Sequence, residues 1–175
     1  LLERDDIGAG TTRAAAAAAL LQTKTSPVKL ALASRSLKML FQFYQETGGS
    51  FEFAHTGSLL AACNETELVV VKDMVAKLQQ LGLEVSYVDG DEARRMMPVI
   101  GPPVLGASYS AVDAKINPLE LVTSYVRAAQ RFGARIFTFT PVTGVETRGE
   151  QIEAVITGRG KIHTATVVDA AGVWT

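Results

Sequence analysis

Apolar residues recur every three or four positions in three long stretches of the chain, which is the spacing of an amphipathic helix. Each stretch begins at a Ser or Asn that can cap a helix and ends at a glycine; two also carry proline at the first helical position. With their capping residues, the three stretches span 26–49, 64–82 and 117–133. The sequence therefore predicts three long helices, with a shorter helical turn near Asp91 that stops before Pro98.

Short runs in which apolar and polar residues alternate predict strands between the first and third helices. The predicted strands lie at 51–53, 58–62, 83–88 and 105–110. Residues 111–116 are expected to form a connection onward. Because these strands do not alternate with helices in a strand-helix-strand rhythm, an antiparallel sheet in an inserted subdomain over residues 49–116 is expected.

The last third of the chain predicts a different arrangement, with a strand at 134–139 directly after a helix and a final strand at its end. Between them, Gly-containing turns separate three short strands near 142–147, 152–157 and 161–164, which is typical of a three-stranded meander. The β-branched run within Thr166–Thr175 ends in Ala-Ala-Gly and predicts a strand buried on both faces. In α/β folds, the loop after such a strand commonly holds a ligand.

The segment near the start combines glycines with an alanine run. Gly8-Ala9-Gly10-Thr11-Thr12-Arg13 does not complete a G-x-G-x-x-G phosphate fingerprint, because Arg13 occupies the third glycine position. A glycine loop that enters a helix at Thr11 or Thr12 and continues through Ala14–Ala19 is expected instead. The alanine face permits either tight packing on a sheet or a helix start that faces a diphosphate.

Composition narrows the classes of partner. A net charge of −1 with interspersed signs lacks the basic surface that nucleic-acid binding requires, so small-molecule partners are expected. The longest apolar run, Ala14–Leu21, is too short for a transmembrane segment. A single cysteine, Cys63, cannot form an internal disulfide and favours the cytoplasm. No metal site is predicted.

Five motifs in this order resemble the FAD-dependent D-amino-acid oxidase superfamily, which includes glycine oxidase, sarcosine oxidase and the flavoprotein subunits of opine and cyanide-forming amine dehydrogenases. The motifs are Leu2-Glu3-Arg4 with Gly8-Ala9-Gly10-Thr11-Thr12, Thr56-Gly57-Ser58-Leu59, Asp113-Ala114 with Asn117-Pro118, Gly133-Ala134 with Pro141-Val142, and Val167-Val168-Asp169-Ala170-Ala171-Gly172-Val173-Trp174. The last is the most specific, with Asp169 where the family has Asn. The resemblance covers essentially the whole chain.

The resemblance implies an α/β fold, α+β overall, in which a partial FAD-binding Rossmann-like domain with a three-stranded β-meander carries an inserted antiparallel-sheet substrate lobe. Residues 1–48 and 117–175 would form the FAD-binding part, and residues 49–116 the substrate lobe. The cofactor-binding residues that it implies are Glu3 for the adenosine ribose, Gly10, Thr11 and Thr12 beside the diphosphate, Val142 at the adenine edge, and Ala171, Gly172 and Trp174 packed against the cofactor. The substrate-lobe candidates are His55, Thr56, Gly57 and Ser58. No catalytic residue is identified.

The chemistry that the resemblance implies is oxidation of the C–N bond of an amino acid or secondary amine to an imine. The strand with the G-x-G-x-x-G turn would lie before Leu1 and a further carboxyl-terminal part after Thr175, so the chain is expected to be an inactive fragment with weak or absent affinity for FAD. A homodimer that covers the incomplete sheet edge is also expected.

Two other functions remain open from the sequence. The chain could be a self-contained small α/β binding or scaffold module without catalysis, although a natural small domain would rarely begin at Leu1 within a strand end. It could also be a nicotinamide-linked dehydrogenase, which the meander and the incomplete fingerprint disfavour.

Overall fold

The structure is a computed structural model that describes residues 1–174. These residues form two compact units: residues 15–121 make one, and residues 1–14 make the other together with the chain from Val122 onward. Each unit combines helical residues with an antiparallel sheet, so the mixed α/β class predicted from the sequence is confirmed. The assignment of an FAD-binding part and a substrate lobe to particular residue ranges stays a prediction.

Residues 1–174 contain four α-helices, three at the predicted capping signals and the shortest at the helical turn predicted near Asp91. They are α1 (Pro27–Glu46), α2 (Glu65–Gln80), α3 (Gly90–Met96) and α4 (Pro118–Arg131). At the start of α2, Asn64 Oδ1 accepts a hydrogen bond from Glu67 N at 2.9 Å, and the Glu67 carboxylate accepts one from Cys63 N at 2.7 Å. Local hydrogen bonds of this kind satisfy the free N–H groups of a helix start, which explains why the helix starts were predictable.

The unit formed by residues 15–121 contains two three-stranded antiparallel sheets. Its strands are β1 (Ala18–Ala19), β2 (Phe53–Ala54), β3 (Ser58–Ala62), β4 (Ser86–Asp89), β5 (Gly106–Ser110) and β6 (Ala114–Ile116). The order is β1-β6-β2 in one sheet and β3-β5-β4 in the other. The predicted antiparallel sheet over residues 49–116 is thus confirmed in its strands, with β6 in place of the expected connection at 111–116.

Two apolar clusters stabilise this unit. The larger joins α1 to α2 through Leu30, Leu37, Val75 and Leu78, all buried. The smaller packs α3 against β5 and consists of buried Ala93, Val104 and Ala107. Full burial of a Val or Leu side chain contributes about 1.5–3 kcal/mol, so the larger cluster contributes most.

The helix predicted for Ala14–Ala19 is wrong. Residues 7–14 form a series of turns, Ala17 adopts a φ of +59°, and Ala18 and Ala19 form β1. Ala18 pairs with Lys115 and Ala19 with Ala114 in β6. A helix of six residues is unstable alone even for alanine, whereas a neighbouring strand satisfies the same backbone groups, so the tertiary pairing prevails.

The second unit contains the predicted meander. Its strands are β7 (Val142–Arg148), β8 (Gln151–Thr157) and β9 (Gly160–His163), in the order β7-β8-β9 with antiparallel pairing. Ala154 and Val155 of the central strand are buried. The meander prediction is confirmed.

Two strands predicted for this unit do not form. Residues 134–139 make a single parallel bridge, between Phe137 and Leu2, instead of a strand. Residues 166–171 have no strand assignment and are exposed, with Val168 85% accessible, so the prediction of a strand buried on both faces is wrong. A doubly buried strand needs paired neighbours, and residues 1–174 place none beside this segment. Thr175 lies outside the described residues.

Candidate functional site

Trp174 packs against the main chain of Gly10. A Cβ atom at Gly10 would lie 3.5 Å from Cη2 of the indole, which is ordinary van der Waals contact, so the ring lies directly beside this glycine. The guanidinium carbon of Arg4 lies 5.4 Å from the centroid of the same ring, within the range of a cation–π contact. Two residues of the first ten therefore meet Trp174, far along the chain, at this indole.

The turn before Trp174 depends on small residues. Gly172 adopts a φ of +67°, which glycine allows without strain, and Gly172–Trp174 form one 3-10 turn. The N–H of Ala171 donates to the Asp169 carboxylate at 2.9 Å, and the N–H of Trp174 donates to the Ala171 carbonyl at 3.2 Å. These contacts orient the indole.

Glu3 is fixed through its main chain. Its N–H donates to the Phe137 carbonyl at 2.9 Å, and its carbonyl accepts from Thr140 N at 2.8 Å. The half-buried carboxylate accepts from Asp5 N at 2.9 Å. Because an ionised carboxylate can accept about four hydrogen bonds, it retains the capacity to bind a pair of ribose hydroxyls. Val142, half-exposed at the start of β7, follows Thr140 by two residues.

The turn at Gly10-Thr11-Thr12 presents main-chain donors. Its carbonyl groups are used locally: Arg13 N donates to the Gly10 carbonyl at 3.2 Å, and Ala14 N to the Thr11 carbonyl at 3.1 Å. Within residues 1–174, no acceptor is found for the N–H groups of Gly10, Thr11 and Thr12. Successive N–H groups without protein acceptors in a turn can form an anion-binding concavity, which is the property that a diphosphate site requires.

The unit formed by residues 15–121 carries the other candidates, His55 to Ser58, which we call the patch. It consists of the three residues between β2 and β3 and the first residue of β3. The His55 ring is exposed and makes edge contacts with Phe53 and Phe41, at centroid distances of 5.1 and 5.5 Å. Gly57 adopts a φ of +65°. The patch thus presents an exposed imidazole that is supported by aromatic rings.

A buried polar network beneath the patch was missed at the sequence level. The Ser58 hydroxyl donates to Asp113 Oδ2 at 2.6 Å, and Leu21 N donates to Asp113 Oδ1 at 2.7 Å. Gln22 donates to Ser58 and accepts from the Ser108 hydroxyl. The available signal was a single glutamine after an apolar run, together with the Asp113-Ala114 motif, and neither indicates a contact partner.

Within the unit of residues 1–14 and 122 onward, the structure thus places Glu3, Gly10 and Trp174 on segments linked by direct contacts, with Thr11 and Thr12 in the same turn as Gly10. His55, Thr56, Gly57 and Ser58 form one continuous patch in the other unit. No helix within residues 1–174 combines the length and the apolar character needed to cross a membrane.

Comparison with known proteins identifies a family and several relatives of the chain. Residues 1–175 match the DAO family, described as FAD dependent oxidoreductase. The chain is 30% identical over 148 residues to the hydrogen cyanide synthase subunit HcnC of Pseudomonas aeruginosa, and 29% identical over 181 residues to the mitochondrial sarcosine dehydrogenase of Mus musculus. Its structure superposes on L-proline dehydrogenase from P. horikoshii with a TM-score of 0.88 and 26% identity.

These relatives are much longer than the chain. The match covers 83% of this chain but 36% of HcnC, and 99% of this chain but 20% of sarcosine dehydrogenase. The solved dehydrogenase is matched over 98% of this chain and 46% of its own length. The chain therefore spans less than half of each of these relatives.

Proposed function

We propose that this chain, which belongs to the DAO family of FAD dependent oxidoreductases, contributes part of an FAD site and a substrate lobe to an enzyme. The proposed reaction is oxidation of the C–N bond of an amino acid or secondary amine to an imine. The observation that carries the proposal is the turn at Gly10-Thr11-Thr12, whose free N–H groups suit a diphosphate, beside the indole of Trp174. The names of the relatives, among them sarcosine dehydrogenase and L-proline dehydrogenase, support an amine or amino-acid substrate.

Each candidate in this unit has one role in the proposal. Glu3 binds the hydroxyls of the adenosine ribose, and main-chain groups of Val142 hold the adenine edge. The N–H groups of Gly10, Thr11 and Thr12 bind the diphosphate. Ala171 and Gly172 allow the close approach that places Trp174 against the cofactor.

The chemistry divides between the cofactor and the protein. When bound, FAD supplies the acceptor for the hydride that leaves the carbon bearing the amine. The protein binds and orients the substrate: the imidazole of His55, supported by Phe41 and Phe53, contacts its polar groups. The apolar rings beneath this imidazole exclude water from the same side.

The isolated 175 residues are proposed to be inactive and to hold FAD too weakly to survive desalting. The support is that the chain spans less than half of each compared relative, whereas the proposed contacts involve mainly the adenosine and diphosphate half of the cofactor. If purified chain retains a flavin absorbance band through desalting, the weak-binding part of the proposal is wrong, and amine substrates can then be tested for bleaching of that band.

A homodimer is proposed for the isolated chain. Val168 and Val173 are both largely exposed, so a second copy that packs on this segment would cover apolar surface. Sedimentation at several protein concentrations tests this, and a monomeric mass at every concentration would contradict it.

Cytoplasmic function is proposed as well, supported by the exposed free thiol of Cys63, which a reducing compartment preserves.

The experiment that tests the cofactor proposal uses Trp174, the single tryptophan, as its own reporter. Titration with FAD is expected to quench its fluorescence weakly but saturably. Glu3→Gln removes the charge from the ribose contact and should raise the Kd about tenfold, since hydrogen bonds to charged groups contribute about 1.5–3 kcal/mol. Glu150→Gln, in the exposed turn between β7 and β8, is the matched control and should leave the Kd unchanged. Equal effects of the two variants would refute the role of Glu3.

A further inference from the structure

Asp113 is a fully buried carboxylate, 0% exposed, in the loop between β5 and β6. Burial of a carboxylate costs several kcal/mol unless hydrogen bonds compensate for lost hydration. Among residues 1–174 no Lys, Arg or His forms an ion pair with it. Its retention in the interior therefore depends on the neutral donors around it.

Those donors come from two segments that are remote from Asp113 in sequence. Leu21 N donates to Oδ1 at 2.7 Å, and the Ser58 hydroxyl donates to Oδ2 at 2.6 Å. The main-chain carbonyl of Asp113 also accepts from Gly57 N at 3.1 Å. Asp113 thus binds the main chain of Gly57 and the side chain of Ser58, the last two residues of the patch.

The remaining groups of the network determine the direction of the Ser58 hydrogen bond. The Gln22 amide nitrogen donates to the carbonyl and the hydroxyl oxygen of Ser58, and the Gln22 amide oxygen accepts from Ser108. Because the Ser58 hydroxyl already accepts from Gln22, its single proton is directed to Asp113. Networks of this kind, buried and oriented, hold one conformation rather than several.

We infer that Asp113 is the positioning residue of the patch: it sets the backbone of Gly57 and Ser58, and through them the orientation of His55 against Phe41 and Phe53. That this orientation serves substrate recognition rests on the proposed function. The Asp113 side chain is not accessible to solvent or to a ligand, so it acts only through the residues to which it is hydrogen-bonded. The residues proposed to contact the cofactor belong to the other unit.

The test uses the two histidines of the chain, His55 and His163, whose ring protons can be followed separately by NMR. Asp113→Asn replaces one acceptor oxygen by an NH2 group, so Leu21 N and the Ser58 hydroxyl can no longer both donate to it. The His55 signals are expected to lose the ring-current shift caused by Phe41 and Phe53. Those of His163, exposed in β9, should stay in place.

Asp73→Asn is the matched control, because it makes the same chemical change at an exposed position of α2 and should leave both histidines unchanged. A general loss of stability would lower the unfolding midpoint without moving the His55 signals of the folded protein. Unchanged His55 signals in folded Asp113→Asn would overturn the inference. If that variant does not fold, Ser58→Ala decides by the same criterion: it removes the hydroxyl that donates to Asp113 and accepts from Gln22, and it leaves the bond from Leu21 N to Asp113 in place.

Addition of glycine as a probe separates this inference from the proposed function. In the wild-type chain, glycine should shift the His55 signals if the patch contacts an amino acid. In Asp113→Asn the same glycine concentration should shift them less, because the imidazole is no longer held in one orientation. If glycine has no effect on the wild-type chain, the substrate role of the patch fails. The positioning by Asp113 is still decided by the comparison without glycine.

Discussion

At the scale of single residues, position 57 in the patch requires glycine. Its φ of +65° disfavours any residue with a Cβ atom, and a Cβ there would lie 2.9 Å from the Tyr109 ring and 3.1 Å from the Ser110 carbonyl oxygen. A backbone carbonyl held in a strand cannot move aside cheaply. The close approach of Gly57 to Tyr109 and Ser110 thus holds the patch against β5, and the hydrogen bonds of Asp113 hold the same residues.

We predict that Gly57→Ala lowers the free energy of unfolding by about 3 kcal/mol, the sum of left-handed strain and the contact with β5. Gly149→Ala is the control: its φ is +61°, but no atom lies within 4 Å of the added Cβ. Only the strain then remains, about 1 kcal/mol. Urea denaturation measures both, and equal losses would show that the crowding at Gly57 has no energetic effect.

The surface ion pair of Lys115 with Glu52 predicts that the stability of the protein depends on pH in the alkaline range. A hydrogen bond from Lys115 Nζ to Glu52 Oε1 at 2.8 Å, with the negative charge of Glu52, raises the pKa of Lys115 above its ordinary value of 10.5. A raised pKa in the folded state means that the stabilisation is fully present below the unfolded pKa and is lost as the pH rises through the folded pKa. Glu52→Gln should therefore destabilise the protein at about pH 8 but not at about pH 12. A pH-independent difference in urea denaturation would contradict this sign.

At the scale of elements, the first turns of α1 and α2 differ in their capping. Asn64 accepts a hydrogen bond from Glu67 N, whereas the side chain of Ser26 at the start of α1 makes no capping hydrogen bond. Pro27 follows Ser26 and has no N–H to satisfy, which reduces the need for a cap. The two positions look alike in the sequence, but only one is expected to contribute.

Asn64→Ala should lower the free energy of unfolding by about 1 kcal/mol, because Glu67 N loses its acceptor. Ser26→Ala should change it by less than about 0.5 kcal/mol, since no hydrogen bond is lost. Thermal or urea denaturation of the two variants beside the wild-type protein measures the difference. A loss at Ser26 as large as that at Asn64 would contradict the structure of these helix starts.

The elements also show which features the sequence determines locally. Helix starts and the turns of the meander are set by residues a few positions apart, and they were predicted. The strands at 134–139 and 166–171 were predicted from composition alone but depend on neighbours that lie elsewhere, and they did not form. Ala18–Ala19 shows the reverse, since a strand formed where local propensity favours helix because β6 was available to pair with it.

At the scale of the whole molecule, the candidate sites depend on contacts between distant segments. The contact of Gly10 with Trp174 could be expected only through the resemblance, because nothing in either segment indicates the other. The network around Asp113 was not expected at all, although Ser58 and the Asp113 motif were both noted. Polar residues carry no periodic signal when they are buried singly, so their partners emerge only from the fold.

The central claim is that the unit formed by residues 1–14 and the chain from Val122 onward binds the adenosine diphosphate half of FAD. The most direct measurement is competition: Trp174 fluorescence is followed while FAD is displaced by ADP or by riboflavin. Because Glu3, the turn at Gly10-Thr11-Thr12 and Val142 are proposed to bind ribose, diphosphate and adenine, ADP should displace FAD and riboflavin should not. Displacement by riboflavin as effective as that by ADP, or no response of Trp174 to FAD, would contradict the account.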